Sequence, residues 1–204
     1  MSGEELHDKG REGARRAKEW LEATTRVNVY WVNPEPHAVR KLTFSWADDS
    51  TEFSFDLGGV LMGDELQGEE FLAEVKFYPA GAGDQGTLYR TYLAKCYRAY
   101  VTRPERCDNF MWVTWAPFSV TKWADLCSSK EVEGAVLECR EHSLAVADEE
   151  EAAARLDRNV CAAVADRLWL IVLSERQEQL VVSIGHRALI QAHVVAGGDG
   201  GKIR

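Results

Sequence analysis

The ten residues Glu70-Phe71-Leu72-Ala73-Glu74-Val75-Lys76-Phe77-Tyr78-Pro79 decide how the rest of the chain reads. Phe71, Ala73, Val75 and Phe77 alternate with Leu72, Glu74, Lys76 and Tyr78. Successive side chains of a strand point to opposite faces, so this period predicts a β-strand with apolar groups on both sides. Glu74 and Lys76 share one of those faces. Charges among aliphatic and aromatic neighbours are costly unless they meet a cleft, a metal or each other. The pair therefore marks either a functional site or a salt-bridged edge strand.

Before this strand, the runs VNVYWV (27–32), VRKLTFSW (39–46) and TEFSFDLGGV (51–60) alternate in the same way between Asn, Pro, Asp and Gly breaks, and predict consecutive antiparallel strands. Leu6, Gly10, Ala14, Ala17, Trp20 and Leu21 recur at helical spacing, which predicts an amphipathic helix over Glu4 to Ala23. After the strand, residues 81–86 read as a loop. A stripe of Leu88, Tyr89, Tyr92, Leu93, Cys96 and Tyr97 then predicts a helix ending before Pro104. Phe110 to Phe118 reads as a buried strand stopped by Pro117, and helices follow over 122–126 and 131–139. A helix opens near Asp148, whose acidic neighbours suit its positive end, and runs to about Ala165. RLWLIVLS (167–174) predicts one more buried strand; 174–195 fits helix then strand or two helices; 197–204, GGDGGKIR, reads as a loose tail.

A chain of 204 residues with 46% hydrophobic content buries enough for one domain, whereas two would each be small. We expect a single domain over 1–196, with a core at about 4–118 and an extension at about 119–196. A net charge of −9 excludes coating nucleic acid by counterion release alone, so any nucleic-acid contact must be local. Two basic stretches are candidates for it: Lys9, Arg11, Arg15, Arg16 and Lys18, then Arg90, Lys95, Arg98, Arg103 and Arg106. Solvated helix faces with compensating acids explain them equally well. No apolar run approaches a membrane span and the opening residues lack a signal-peptide core, so no membrane partner and a cytoplasmic location are expected. The five cysteines lack CxxC spacing and the five histidines lack HxxxH or HxH spacing, which disfavours a disulfide framework, a zinc site and a local histidine hydrolase. There is no GxxxxGK[ST] or GxGxxG motif for nucleotides. Trp112, Trp115, Trp123 and Trp169 lie in or beside apolar elements and read as core rather than base-stacking platforms.

Phosphodiester hydrolysis uses a divalent cation to hold the phosphate and lower the pKa of water, and hard magnesium prefers oxygen ligands. Asp56 and Glu74 can supply them, the Val75 carbonyl can add another, and Lys76 shares Glu74's face, where it can orient water or neutralise developing charge.

In this order of elements the chain resembles the PD-(D/E)XK nuclease superfamily. The matching residues are Phe55-Asp56 and Glu74-Val75-Lys76, separated by the Gly-rich hairpin GGVLMGDELQGEE (58–70); Phe55 stands where the family's name has proline. The resemblance spans about residues 4 to 118. It implies an α/β fold with a restriction-endonuclease-like core, α-β-β-β-α-β, a mixed central sheet flanked by helices and a C-terminal α/β extension. It also implies Mg2+ or Mn2+ bound by Asp56 and Glu74, catalytic help from Lys76, and DNA as substrate, in a defence or repair setting. Gln85-Gly86-Thr87-Leu88-Tyr89 looks like the QxxxY element of the RecB-like branch, where Gln85 holds water or a phosphate oxygen; a helix start with a buried tyrosine is the other reading. Glu12 and Glu19 are candidates for the acid that relatives carry on the opening helix. The basic stretches would guide the phosphate backbone. The alternative is a non-catalytic assembly protein that keeps the fold and uses its apolar C-terminal third as a homodimer or partner surface.

Overall fold

The computed structural model describes residues 3–49, 51–77 and 84–196. The expected tail, residues 81–83 of the expected 81–86 loop, Tyr78, Pro79 and the side chain of Lys9 lie outside the described residues. The chain opens with α1 (Gly3–Thr24) and β1 (Val27–Val32), then α2 (Pro36–Leu42), β2 (Thr43–Ser45) and β3 (Glu52–Ser54). Next come β4 (Leu57–Leu61), β5 (Glu70–Lys76), α3 (Gln85–Thr102) and β6 (Asn109–Thr114). The remainder is α4 (Ser129–Glu138), α5 (Arg140–Ser143), α6 (Glu149–Arg155), α7 (Arg158–Ala165), β7 (Leu168–Val172), α8 (Glu175–Glu178) and α9 (Ile184–Val195).

Five strands form one mixed sheet in the order β1-β4-β5-β6-β7, and β2 pairs with β3 separately. β1, β4 and β5 run antiparallel; β5, β6 and β7 run parallel, with α3 and then α4 to α7 as the crossovers that parallel pairing requires. The alternation of β5 sets the layers. Phe71, Ala73 and Val75 join Ala14, Ala17 and Leu21 of α1 in one core, while Leu72 joins Phe55, Tyr92, Leu93 and Trp112 in the core on the other face. No helix among the described residues is long and apolar enough to cross a membrane.

Two glycines let backbones approach. A Cβ on Gly13 would lie 2.7 Å from Phe77 Cβ, so α1 rests directly on the end of β5. A Cβ on Gly59 would lie 2.0 Å from the Asn28 carbonyl oxygen, where β1 presses on β4. Just beyond, β1 bulges: Val29 faces Gly59 and Trp31 faces Gly58, which leaves Tyr30 as the extra, exposed residue.

The expected strand at 39–46 is only half strand. Its first part is α2, in which Pro36 sits at the start, where a missing N–H costs nothing, and Ala38 and Leu42 are buried one turn apart. The run 51–60 is two strands, because Phe55 N–H donates to the Leu42 carbonyl and Asp56 N–H to the Ala73 carbonyl, carrying the chain from the small sheet into the large one. The helix expected over 148–165 breaks at Leu156, whose extended backbone ends α6. Asp157 then caps α7 by accepting from the N–H groups of Asn159 and Val160. Residues 174–195 resolve as the two helices α8 and α9. Beyond residue 118 the chain is not an appendage to the sheet: it supplies β7, and α4 and α7 bring Val132, Val136, Cys161 and Val164 into the core beside α3.

Candidate active site

β5 places Glu74 and Lys76 on the face covered by α3, two residues apart and hence side by side. Lys76 Nζ donates to Glu74 Oε1 at 2.7 Å and stands 5.9 Å from the Trp112 ring centroid, within cation–π range. Lys95, from the middle of α3, reaches the same carboxylate from above, with Nζ 3.3 Å from Glu74 Oε2 and 3.3 Å from the Ser54 carbonyl. Glu74 is buried and the two lysines keep 19% and 17% of their side-chain exposure, so the cluster opens to solvent at its cations.

Asp56 sits at the junction of β3 and β4 and is fastened by its backbone and its carboxylate. Its N–H donates to the Ala73 carbonyl, its own carbonyl accepts from Asn33 N–H, and Oδ2 accepts from Val75 N–H at 2.7 Å. Ala73 and Val75 thus turn their backbone groups toward Asp56, and strand alternation aims the Val75 carbonyl to that side as well. The ladder does not claim that carbonyl, because Phe55 has left to pair with Leu42.

The four charged groups feel one another. Burial, then the charge of Glu74, pushes the Asp56 carboxyl up to about 6, against the pull of Lys76, the Val75 N–H and Lys95. Burial also works to raise Glu74, but Lys95 and Lys76 together outweigh it and hold that carboxyl below its ordinary value. The outcome is one firmly ionised carboxylate beside one that ionises reluctantly.

Hard oxygen donors on two carboxylates and a backbone carbonyl beyond the end of the β4–β5 pairing suit magnesium or manganese, with water completing the shell. Among the described residues no three His, Cys, Asp or Glu side chains gather as ligands for a metal ion. A cation here would rest on Asp56, Glu74 and the Val75 carbonyl.

Gln85, at the start of α3, is buried. Its side-chain oxygen accepts from Thr114 Oγ1 at 2.8 Å and its amide nitrogen donates to the Ala116 carbonyl at 3.2 Å. Thr114 is the register partner of Lys76, so Gln85 braces the strand end next to the cluster. Tyr89 is buried, and its hydroxyl donates to the Leu126 carbonyl. Glu12 and Glu19 both bind Arg15 on the exposed side of α1. Of the basic stretches, Arg16 pairs with Glu178, Lys18 with Glu22 and Arg90 with Glu138, while Arg11 is exposed. Arg16, Lys18 and Arg90 thus each belong to a separate ion pair. Beyond the phosphate contact expected of it, Lys95 grips Glu74, and the signal for that is a lysine inside the buried stripe Tyr92, Leu93, Cys96.

Set against known proteins, the chain matches no family model, no curated protein and no solved structure.

Proposed function

We propose that this chain is a divalent-metal-dependent nuclease that hydrolyses DNA phosphodiester bonds, on a core of the restriction-endonuclease-like type. The observation that carries this reading is the meeting of Asp56, Glu74 and Lys76 where β4 and β5 pair, with α3 closing over them. The order α1, β1, β4, β5, α3, β6, with an antiparallel meander followed by a parallel strand, supports the core assignment. The five free cysteines favour a reducing compartment such as the cytoplasm.

Magnesium or manganese bound by Asp56, Glu74 and the Val75 carbonyl would polarise the scissile phosphate and lower the pKa of the attacking water. The protein's own part is positional. Val75 N–H fixes the Asp56 carboxylate, Lys95 Nζ keeps Glu74 ionised, and Lys76 Nζ, at the solvent-facing side, donates to the incoming water or to a phosphate oxygen as charge builds there. Gln85 and Thr114 hold the end of β6 beside Lys76.

The test is cleavage of supercoiled plasmid and linear DNA with magnesium or manganese by wild type and Glu74→Ala. Wild type is expected to cut, with the products separating nicking from end digestion, and the variant is expected to be inert. Cutting that survives in the variant removes the assignment.

A second reading, an assembly protein that keeps this core, draws on the exposed Ile184, Leu189 and Val195 of α9 and Leu180 in the turn before it. It predicts no cleavage and no metal-dependent stabilisation.

A further inference from the structure

The last two helices touch the body of the protein through polar groups. Leu173 is buried and its N–H donates to the Thr114 carbonyl, which makes it the last fixed point of the sheet. From Ser174 to Ala196 no described side chain is buried. Leu180, Ile184, Leu189 and Val195 keep 72%, 88%, 70% and 82% of their exposure, so the apolar content of this stretch is not what docks it. Among the described side chains of α9 only Arg187 and Gln191, polar and one turn apart, are half-buried. Beneath the two helices lies a cavity of about 440 Å³, with Ala23 and Met62 on the body's side and Leu180, Val182 and Ile190 on the other. The apolar groups that do face each other are therefore not close-packed.

Charge supplies the attachment. Arg16 Nε donates to Glu178 Oε1 at 2.7 Å and Arg16 Nη2 donates to Oε2, while Trp115 Nε1 donates to Oε1 at 3.2 Å. The Arg16 guanidinium lies 4.4 Å from the Phe77 ring centroid, which fixes its place on α1. Farther along, Arg187 Nη1 donates to Glu22 Oε2 at 2.6 Å. α8 is thus fastened at Arg16, and α9 at Glu22 two turns on along the same helix. A helix as short as α9 is marginal on its own, and with no apolar face buried its docking stands on these contacts.

We infer that α8 and α9 form a strap, hinged at Ser174 and latched to α1 by these ion pairs, that lifts from the body while the sheet stays folded. Lifting removes no residue from either core. It breaks two charged contacts and opens a space that is already hollow. Elements with so few buried apolar contacts open at a lower cost than the whole fold. The latch also has a position that matters. Phe77 follows Lys76, Trp115 follows Thr114, and Lys76 and Thr114 are register partners, so Arg16 is held at the ends of β5 and β6. By strand alternation that is the sheet face opposite Lys76. A raised strap would leave the Arg16 guanidinium and Trp115 Nε1 there as donors without their carboxylate. The inference does not depend on the nuclease reading.

Hydrogen exchange of the full chain, read by mass spectrometry, tests it. In wild type the amides of 184–195 are expected to exchange well ahead of those of β5 and α3. Their exchange should quicken between about 0.05 M and about 1 M sodium chloride, where the screening length falls to about 3 Å. Glu178→Gln and Arg187→Gln each remove one charge of a pair and keep the size of the side chain or less. Each should speed exchange over 184–195 by about tenfold and leave β5 and α3 as they are. Protection over 184–195 equal to that of β5 in wild type and both variants overturns the inference. So does protection lost from the sheet together with 184–195, because the helices would then belong to one cooperative unit. Exchange over 184–195 that is complete at low salt and indifferent to both variants overturns it as well, since nothing would then be latched.

Discussion

Glu22 and Glu74 are each nearly buried and each gripped by two cations, yet they do different things. Glu22 holds Lys18 at 2.8 Å and Arg187 at 2.6 Å and also accepts from Val29 N–H, tying α1 to β1 and to α9. Burial opposes its ionisation, but Arg187 and Lys18 prevail and hold its carboxyl below the ordinary value, as Lys95 and Lys76 do for Glu74. What separates the two sites is Asp56. A lone carboxylate between cations is a satisfied joint. A second carboxylate fastened beside it, with its pKa pushed up, leaves a repulsion that a divalent cation can relieve.

The largest effect that can break this comparison is on turnover. Glu74→Ala and Lys76→Ala should each lower DNA cleavage by about a thousandfold or more, equivalent to about 4 kcal/mol of barrier, while Glu22→Ala stays within a few-fold of wild type in the same assay. Equal losses at Glu22 and Glu74 would make both sites structural. Stability should run the other way. Glu22→Ala leaves Lys18 and Arg187 without their shared partner and is expected to cost roughly 2 kcal/mol in denaturant titrations. Glu74→Ala should cost less than about 1 kcal/mol, because Asp56 remains as counter-ion for Lys76 and Lys95.

Metal should sharpen the contrast further. Millimolar magnesium or manganese is expected to raise the melting temperature of wild type by about 3 °C, equally in Glu22→Ala and not in Asp56→Asn. Equal shifts in all three proteins would locate the ion elsewhere. The smallest effect is on acid stability. Glu22 has a depressed carboxyl, so its contribution is complete above its unfolded value near about pH 4.3 and is lost as pH falls through the lower folded value. Denaturant curves should therefore show wild type losing more stability than Glu22→Gln on acidification from neutral pH to below that range. Parallel curves would mean that the joint contributes nothing.

How much of this could be read in advance depended on the range of the interactions. The alternation of residues 70–77 is local, and it correctly gave β5, its two faces and the side-by-side placement of Glu74 and Lys76. The stripe of α3 and the apolar runs of β6 and β7 were legible for the same reason. α2 was missed because Leu42, Phe44 and Trp46 alternate convincingly, although Pro36 and the spacing of Ala38 and Leu42 held the contrary signal. The break at Asp157 was likewise written in a good capping residue. Lys95 could be seen as a basic residue on a helix, but its grip on Glu74 is a tertiary fact, created by α3 crossing over β5. The pairing of Arg16 with Glu178 and of Lys18 with Glu22, joints between helices or within one, is likewise a tertiary or side-chain matter that the basic stretch alone did not disclose.

The hairpin between β4 and β5 has one more consequence, for how the chain can change in length. Asp56 enters at the start of one arm and Glu74 near the end of the other, and the pairing of Leu57 with Ala73 brings them together whatever the turn contains. The exposed tip around Asp64 to Gly68 can therefore accept inserted residues with little penalty. A single residue added between Glu70 and Ala73 would instead rotate everything after it by one face. The glutamate would be delivered among the alanines of α1, and an apolar neighbour would be left for Lys95 to meet. Variation in length should thus collect at the tip and be purged from the arms.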